Sequence, residues 1–158
     1  GLQILKKKIS EIKNLKKYFE KKFYLPDLCL NLSKKLLIFA NTSIDISDGL
    51  ITDLEKLINK QKLSYSLTLD DIPISKKLKE LLDAKKLSKL LFISQGDDYQ
   101  ILFTAGPDKS RIISKISKSL GIRISKIGKI CKLSKKSQII DQKGNKIAFN
   151  RQGYYHRF

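Results

Sequence analysis

Two aspartates and a serine lie close together where an apolar strand pattern gives way to a helical one. Asp45, Ser47 and Asp48 fall within residues 44–50, which read IDISDGL. Mg²⁺ is commonly held by one or two carboxylates together with phosphate oxygens and water. Ser47 and the free N–H groups of the helix start could contact a phosphate. The pattern therefore predicts a Mg²⁺ site. A simpler alternative is that Asp48 or Ser47 only caps the helix while Asp45 faces solvent.

A second acidic stretch, Gly96-Asp97-Asp98-Tyr99, precedes the most apolar strand pattern of the chain, residues 99–105. By itself it is typical of a glycine-aspartate turn that leads into a strand. An apolar-flanked GDD sequence also occurs in the palm hairpin of RNA polymerases. We strongly disfavour that interpretation because the chain is far too short and the rest of the palm pattern is absent.

The last five residues contain three aromatic side chains, Tyr154, Tyr155 and Phe158. They could form a packed terminus. Alternatively, they offer a flat face to a ring-shaped ligand, and a cationic heteroaromatic ring favours such a face.

These motifs need a scaffold, and hydrophobic periodicity predicts one. Apolar residues three or four apart predict helices over residues 2–23, 28–39, 49–60 and 75–90, and another that Asp108 caps and Gly121 stops. Asp27 is expected to cap the second of these helices. Strands are predicted before the first acidic stretch and over residues 64–69, 99–105 and 123–130, with a hairpin over 137–149. The order predicts a single α+β domain, residues 1–158, with a mixed β-sheet covered by helices.

The chain is strongly basic, with a formal net charge of +18 from 33 Lys+Arg against 15 Asp+Glu. Such a charge suggests a polyanion partner, so a basic nucleic-acid-binding domain is one hypothesis. Only four of the basic residues are arginines, the residue best suited to reading bases and gripping phosphates. We favour a compositional bias towards lysine and regard nucleic acid as the less favoured partner.

Length and composition exclude several other classes of protein. The 158 residues are 41% hydrophobic, which fits one folded domain. No apolar run reaches the roughly 20 residues that a membrane span needs, and no signal-peptide pattern opens the chain, so a cytoplasmic location is expected. Cys29 and Cys131 have no CxxC spacing and are expected to be buried thiols. His156 is the only histidine, which excludes a two-histidine site.

The motifs taken together resemble thiamine-monophosphate kinase. The resemblance rests on residues 44–50, Asp53-Leu54, residues 96–104 and the terminal glycine-aromatic-x-histidine pattern. It covers the C-terminal half of that family only, so an N-terminal ATP-binding domain is expected to be absent from the chain. Asp97 and Gln100 stand where the family more often has glutamates.

The resemblance implies a function and a fold. The family transfers the γ-phosphoryl group of ATP to thiamine monophosphate and gives thiamine diphosphate. Its C-terminal domain has the aminoimidazole ribonucleotide synthetase-like fold, which is partly ferredoxin-like. The implied partners are ATP, thiamine monophosphate and an N-terminal kinase domain, on the same or a separate chain, with a homodimer in the full enzyme. The chain alone is expected to be inactive, and a folded but inactive remnant of the family is an alternative.

The resemblance also implies roles for particular residues. Asp45 and Asp48 would ligate Mg²⁺, and Ser47 would contact ATP. Asp97 would contact the substrate, and Tyr154 or Tyr155 would meet its thiamine ring. No residue of this chain is assigned a catalytic role.

Overall fold

A computed structural model describes residues 13–58, 61–96, 99–132 and 136–149. The helices are α1 (Lys13–Tyr24), α2 (Leu30–Ser33), α3 (Leu36–Phe39), α4 (Leu50–Leu57), α5 (Lys76–Lys85), α6 (Lys89–Ile93) and α7 (Ser110–Leu120). The strands are β1 (Thr42–Asp45), β2 (Leu63–Thr68), β3 (Ile101–Thr104), β4 (Gly128–Lys132) and β5 (Gln138–Ile140). Short 3₁₀ turns span Leu69–Asp71 and Pro107–Lys109.

The described strands form two sheets. β1 and β3 pair antiparallel, with Asp45 opposite Ile101 at one end of the ladder. In the other sheet β2 is central, antiparallel to β4 and parallel to β5. Helices separate most of the strands in the chain. The predicted α+β class with a mixed sheet is therefore confirmed.

Helix α4 links the two sheets through one core. Its apolar side chains recur at three- or four-residue spacing, which makes one face of the helix hydrophobic. Leu50 and Leu54 of this face belong to the same buried cluster as Leu67 of β2, Leu102 of β3 and Ile139 of β5. The start of α4, which carries the first acidic stretch, is therefore held against both sheets.

Two predicted helices are broken. The helix predicted over residues 28–39 is split into α2 and α3, and Leu32 of α2 and Phe39 of α3 belong to the same buried cluster as Ile116 of α7. The helix predicted over residues 75–90 ends at Lys85. Lys86 has the left-handed conformation, with φ of 52°, and a new helix starts after Ser88. Apolar spacing cannot reveal such breaks, since the spacing continues across them.

Several capping and strand predictions are also corrected. Asp27 pairs with Lys22 and does not cap α2, and Asp108 lies inside a 3₁₀ turn before α7. Gly121 does end α7, in the left-handed conformation. The strand predicted over residues 123–130 begins only at Gly128. The predicted hairpin keeps its turn, but its second half does not form a strand within the described residues. It pairs with β5 through the Ile140–Lys146 bridge and through a 2.9 Å hydrogen bond from the Ile147 N–H to the Ile139 carbonyl.

Both cysteines are free and only partly buried, which corrects the expectation of buried thiols. Across the described ranges, no helix combines the length and the hydropathy that crossing a membrane requires.

Candidate functional site

The first acidic stretch follows β1 directly, and its position is set by an extension of the β1–β3 ladder. Beyond Asp45, the Ile46 N–H donates to the Gln100 carbonyl at 2.8 Å, and the Tyr99 N–H donates to the Ile46 carbonyl at 2.9 Å. These bonds align the chain on both sides of Ile46. The loop 47–49, which we call the acidic loop, therefore starts from a fixed strand end.

A buried carboxylate shapes the acidic loop from inside. Asp53, in the first turn of α4, is completely buried. One of its oxygens, Oδ2, accepts hydrogen bonds from the backbone N–H groups of Ser47 and Asp48 at 2.9 Å and of Gly49 at 3.1 Å. Three donors that converge on one ionised oxygen form strong, directional bonds. The conformation of the loop is therefore set by Asp53.

This arrangement replaces the helix cap considered as the simpler alternative. Gly49 precedes α4 with φ of 125°, a conformation that side chains rarely adopt, and no side chain caps the helix. The Asp53 N–H donates to the Gly49 carbonyl at 2.9 Å. Neither Ser47 nor Asp48 acts as the cap. Both present their backbone to Asp53 instead.

The segment that leads to the second acidic stretch packs on this loop, backbone against backbone. A Cβ on Gly96 would lie 1.9 Å from the Ser47 carbonyl oxygen, and a Cβ on Gly49 would lie 2.9 Å from the Ser94 carbonyl group. Only glycines at both positions allow this approach. The two acidic stretches therefore approach each other through Gly96 and the acidic loop.

Lys56, one turn further along α4, connects two carboxylates. Its Nζ donates to Oδ1 of Asp53 at 2.9 Å and also pairs with Oδ2 of Asp48. The hydrogen bond to Asp48, followed by that to Asp53, raises the pKa of the Lys56 ammonium above its ordinary value of 10.5. Asp48 is thus a mostly buried carboxylate that carries a cationic partner.

The residues predicted to form the site are only partly within the described ranges. Asp45 is exposed at the end of β1, while Ser47 and Asp48 are partly buried in the acidic loop. Asp97, Tyr154 and Tyr155 lie outside the described residues. Within the described ranges, no group of three or more His, Cys, Asp or Glu residues is placed to hold a metal ion.

The acidic loop nevertheless fits a share of a Mg²⁺ site. Together with Asp45 at the strand end, it offers two carboxylates and the Ser47 hydroxyl, all of them the hard oxygen ligands that this ion takes. One or two carboxylates are enough when phosphate oxygens and water complete the coordination shell. The chain could therefore supply part of such a site.

Asp53 and Lys56 have structural roles that the sequence did not predict. A signal for Asp53 was present, because an aspartate at this position lies between Leu50, Leu54 and Leu57 on the apolar face of an amphipathic helix. A charged residue on a buried face needs a partner. The loop N–H groups are that partner, and sequence alone does not show where they point.

Comparison with known proteins identifies relatives along the whole chain, although no family model matches it. The thiamine-monophosphate kinase of Buchnera aphidicola subsp. Schizaphis graminum is 34% identical over 160 residues, which is 99% of this chain. Its counterpart from Buchnera aphidicola subsp. Acyrthosiphon pisum is 31% identical over 158 residues, also 99% of the chain. Each match covers 48% of the relative, so the chain spans about half the length of these kinases.

Comparison with solved structures also finds thiamine-monophosphate kinases. AaThiL in complex with AMPPCP and TMP matches 98% of this chain and 46% of its own, with a TM-score of 0.72 and 20% identity. The thiamine-monophosphate kinase from Stenotrophomonas maltophilia matches 74% of this chain and 36% of its own, with a TM-score of 0.65 and 28% identity. The E. coli hydrogenase maturation protein HypE, at 10% identity, matches 80% of this chain and 40% of its own, with a TM-score of 0.63.

These structural neighbours confirm the aminoimidazole ribonucleotide synthetase-like fold predicted from the resemblance. The sequence similarity shows relationship as well as fold, because it extends along almost the whole chain. The chain is a homologue of thiamine-monophosphate kinases and spans about half of their length.

Proposed function

We propose that the chain is the C-terminal domain of a thiamine-monophosphate kinase, which transfers the γ-phosphoryl group of ATP to thiamine monophosphate and forms thiamine diphosphate. The observation that carries the proposal is the acidic loop, in which Asp53 orders a D-x-S-D-G sequence at the end of β1. Sequence similarity to the kinases over 99% of the chain supports it. So does the fold shared with AaThiL, which binds AMPPCP and TMP.

The proposed residue roles follow from the chemistry of two phosphorylated reactants. Both carry negative charge, so bringing them together requires cations and close positioning. Asp45 and Asp48 hold Mg²⁺, which offsets the charge of the phosphate oxygens when bound. Ser47 contacts ATP through its hydroxyl group.

The other reactant is proposed to lie towards the second acidic stretch and the end of the chain. Thiamine carries a cationic thiazolium ring, which an acid and an aromatic face both suit. Asp97 therefore provides the acid, and Tyr154 or Tyr155 provides the aromatic face.

The proposed activity draws on residues outside this chain. Within the described ranges no group of three or more His, Cys, Asp or Glu residues is placed to hold a metal ion, and the chain spans about half of its kinase relatives. We therefore propose that an N-terminal ATP-binding domain completes the site, that the chain alone is inactive, and that the full enzyme is a homodimer in the cytoplasm.

The test is a phosphoryl-transfer assay in which the chain is fused to the N-terminal half of a related kinase. The fusion should convert thiamine monophosphate to thiamine diphosphate with ATP and Mg²⁺, and the unfused chain should not. Asp45→Asn and Asp48→Asn should each lower the rate about 10- to 100-fold or more, as loss of a metal-site group does. Asp83→Asn is the matched control, since it removes an exposed carboxylate from α5. Unchanged turnover in both site variants would refute the metal assignment.

The same assay separates the proposed enzyme from a folded but inactive remnant. A remnant would retain the fold, visible by circular dichroism, but the fusion would give no thiamine diphosphate. The molar mass of the active fusion in solution, measured by light scattering, tests the homodimer.

A further inference from the structure

The Lys56 ammonium pairs with a carboxylate of the acidic loop that we propose to bind Mg²⁺. The ammonium contacts Oδ2 of Asp48, the residue that we assign to Mg²⁺, and lies 2.9 Å from Oδ1 of Asp53. The Lys56 side chain reaches this position from solvent and remains 47% exposed, whereas the two carboxylates are 16% and 0% exposed. A solvent-facing cation on a long side chain therefore neutralises carboxylates that are themselves largely buried.

A metal ion would affect the contact of Lys56 with Asp48 but not its contact with Asp53. Asp53 uses its other oxygen for three backbone N–H groups, so it is committed to the loop. Oδ2 of Asp48 faces the ammonium, so an ion that binds this oxygen competes with the ammonium for it. Two cations at contact distance from one carboxylate oxygen repel each other, which favours displacement of the exposed ammonium.

We propose that Lys56 is a positioning residue that holds Asp48 in the absence of metal, and that a divalent cation displaces its ammonium from Asp48. This inference rests on the proposed function, because it takes Asp48 as a metal ligand. After displacement, Lys56 keeps its contact with Asp53 and remains beside the loop. The lysine thus preserves the loop without metal, at the cost of a weaker affinity for the ion.

A merely structural salt bridge makes the opposite prediction. If Lys56 only braced Asp48, its removal would loosen the loop, and metal affinity would fall or stay the same. If Lys56 competes with the metal, its removal must increase the affinity. The direction of the change therefore separates the two cases.

The first experiment measures binding of Mn²⁺, which takes the same oxygen ligands as Mg²⁺, by electron paramagnetic resonance. The protein is the 158-residue chain fused to the N-terminal half of a related kinase, as in the kinase assay. Lys56→Met should bind Mn²⁺ about tenfold more tightly than the wild type, since a like charge next to the ion is removed. Lys56→Arg keeps the charge and should not show this gain. Lys77→Met is the matched control, because Lys77 is also 47% exposed and pairs with Glu80 three residues away.

The second experiment uses the same fusion with the wild-type chain and does not depend on how a variant folds. A limiting amount of an amine-acylating reagent is applied with and without saturating Mn²⁺, and modification is quantified by mass spectrometry. Displacement should increase acylation of Lys56 several-fold and leave Lys77 unchanged. Acylation of Lys56 that stays the same while Mn²⁺ is bound overturns the proposal.

The remaining outcomes identify which idea fails. If Lys56→Met binds Mn²⁺ no more tightly than the wild type, the Lys56 proposal is overturned. The same holds if neither protein binds Mn²⁺, and the kinase assay then decides the proposed function separately. If Lys56→Met gains affinity and adding Asp48→Asn does not remove the gain, both the Lys56 proposal and the metal role of Asp48 are overturned. A gain that Asp48→Asn abolishes supports both.

Discussion

Replacing Asp53 should destabilise the protein more than replacing any of its charged partners. Asp53→Ala removes an oxygen that accepts three N–H bonds of 2.9, 2.9 and 3.1 Å. A hydrogen bond to a charged group contributes about 1.5–3 kcal/mol, and breaking a buried charged network by removing one partner costs about 3–5 kcal/mol. We therefore expect a loss of about 3–5 kcal/mol in the free energy of unfolding, a large part of the roughly 5–15 kcal/mol typical of a domain.

The three N–H bonds, and not the ion pair with Lys56, should account for most of this loss. Lys56 is half exposed, and a solvent-screened pair contributes about 0–1 kcal/mol. Lys56→Met should therefore cost no more than about 1 kcal/mol. Asp53→Asn can retain one oxygen for the N–H groups but turns its amide NH₂ towards the Lys56 ammonium, so it should cost an intermediate amount of about 1–3 kcal/mol.

The assay is urea unfolding followed by circular dichroism, because the chain contains no tryptophan. Glu80→Ala is the control. It breaks an exposed pair with Lys77 at the same three-residue spacing and should cost under about 0.5 kcal/mol. Hydrogen exchange provides a local readout, since protection of the amides in the acidic loop should be lost in Asp53→Ala. A loss as small as that of Glu80→Ala, with loop amides still protected, would refute the reasoning.

Three further predictions follow from contacts near the site and in the β5 turn. Gly96→Ala should lower the free energy of unfolding by about 1–3 kcal/mol, because its Cβ would meet the Ser47 carbonyl oxygen at 1.9 Å. Gly106→Ala is the control: its Cβ would meet only the flexible side chain of Asp108, so the loss in the same unfolding assay should be smaller. Because the pKa of Lys56 is raised in the folded protein, its ammonium stabilises the fold below pH 10.5, and this stabilisation is lost as the pH rises through the folded pKa. Wild type should therefore lose more stability over that pH range than Lys56→Met. Hydrogen bonds from the Asn145 side-chain amide, and then from its backbone N–H, lower the pKa of Asp141 below 3.8. The contribution of Asp141 to the free energy of unfolding is therefore present above pH 3.8 and lost as the pH falls through the folded pKa. An NMR titration of Asp141 in wild type and Asn145→Ala checks this shift.

The parts of the fold that sequence predicted are those in which a local pattern coincides with a tertiary requirement. The apolar side chains of α4 and Leu102 of β3 share one core cluster, and Ile101 and Phe103 of β3 pack on the cluster that contains Ile116 of α7. Both elements meet buried side chains, so periodicity indicated their type and approximate position. Gly121 ended α7 as expected, because a left-handed residue after the last turn is a local property of the helix. Each of these inferences needed only neighbouring residues.

Predictions that depended on how the chain turns between elements were wrong or incomplete. Asp27 has the right type for a helix cap but pairs with Lys22. The helix predicted over residues 28–39 is broken after Ser33, although the apolar spacing continues across the break. In the candidate site, the positions of Asp45, Ser47 and Asp48 beside a strand end and a helix start could be predicted. The carboxylate that orders them could not, because its partners are backbone N–H groups four to six residues earlier, and their direction depends on how the loop turns.

Burial of Asp53 also changes how a phosphate can be held at this corner. The sequence suggested that free N–H groups at the helix start would bind phosphate. Those of Ser47, Asp48 and Gly49 instead donate to Asp53, so they are already used. A phosphate beside Ser47, Asp48 and Gly49 would therefore meet side chains, namely the Ser47 hydroxyl or a cation that Asp45 and Asp48 are proposed to hold. A loop that uses these three amides internally and presents other carboxylates is thus better suited to holding a cation than to binding an anion directly, which is the role that the proposed function assigns to it.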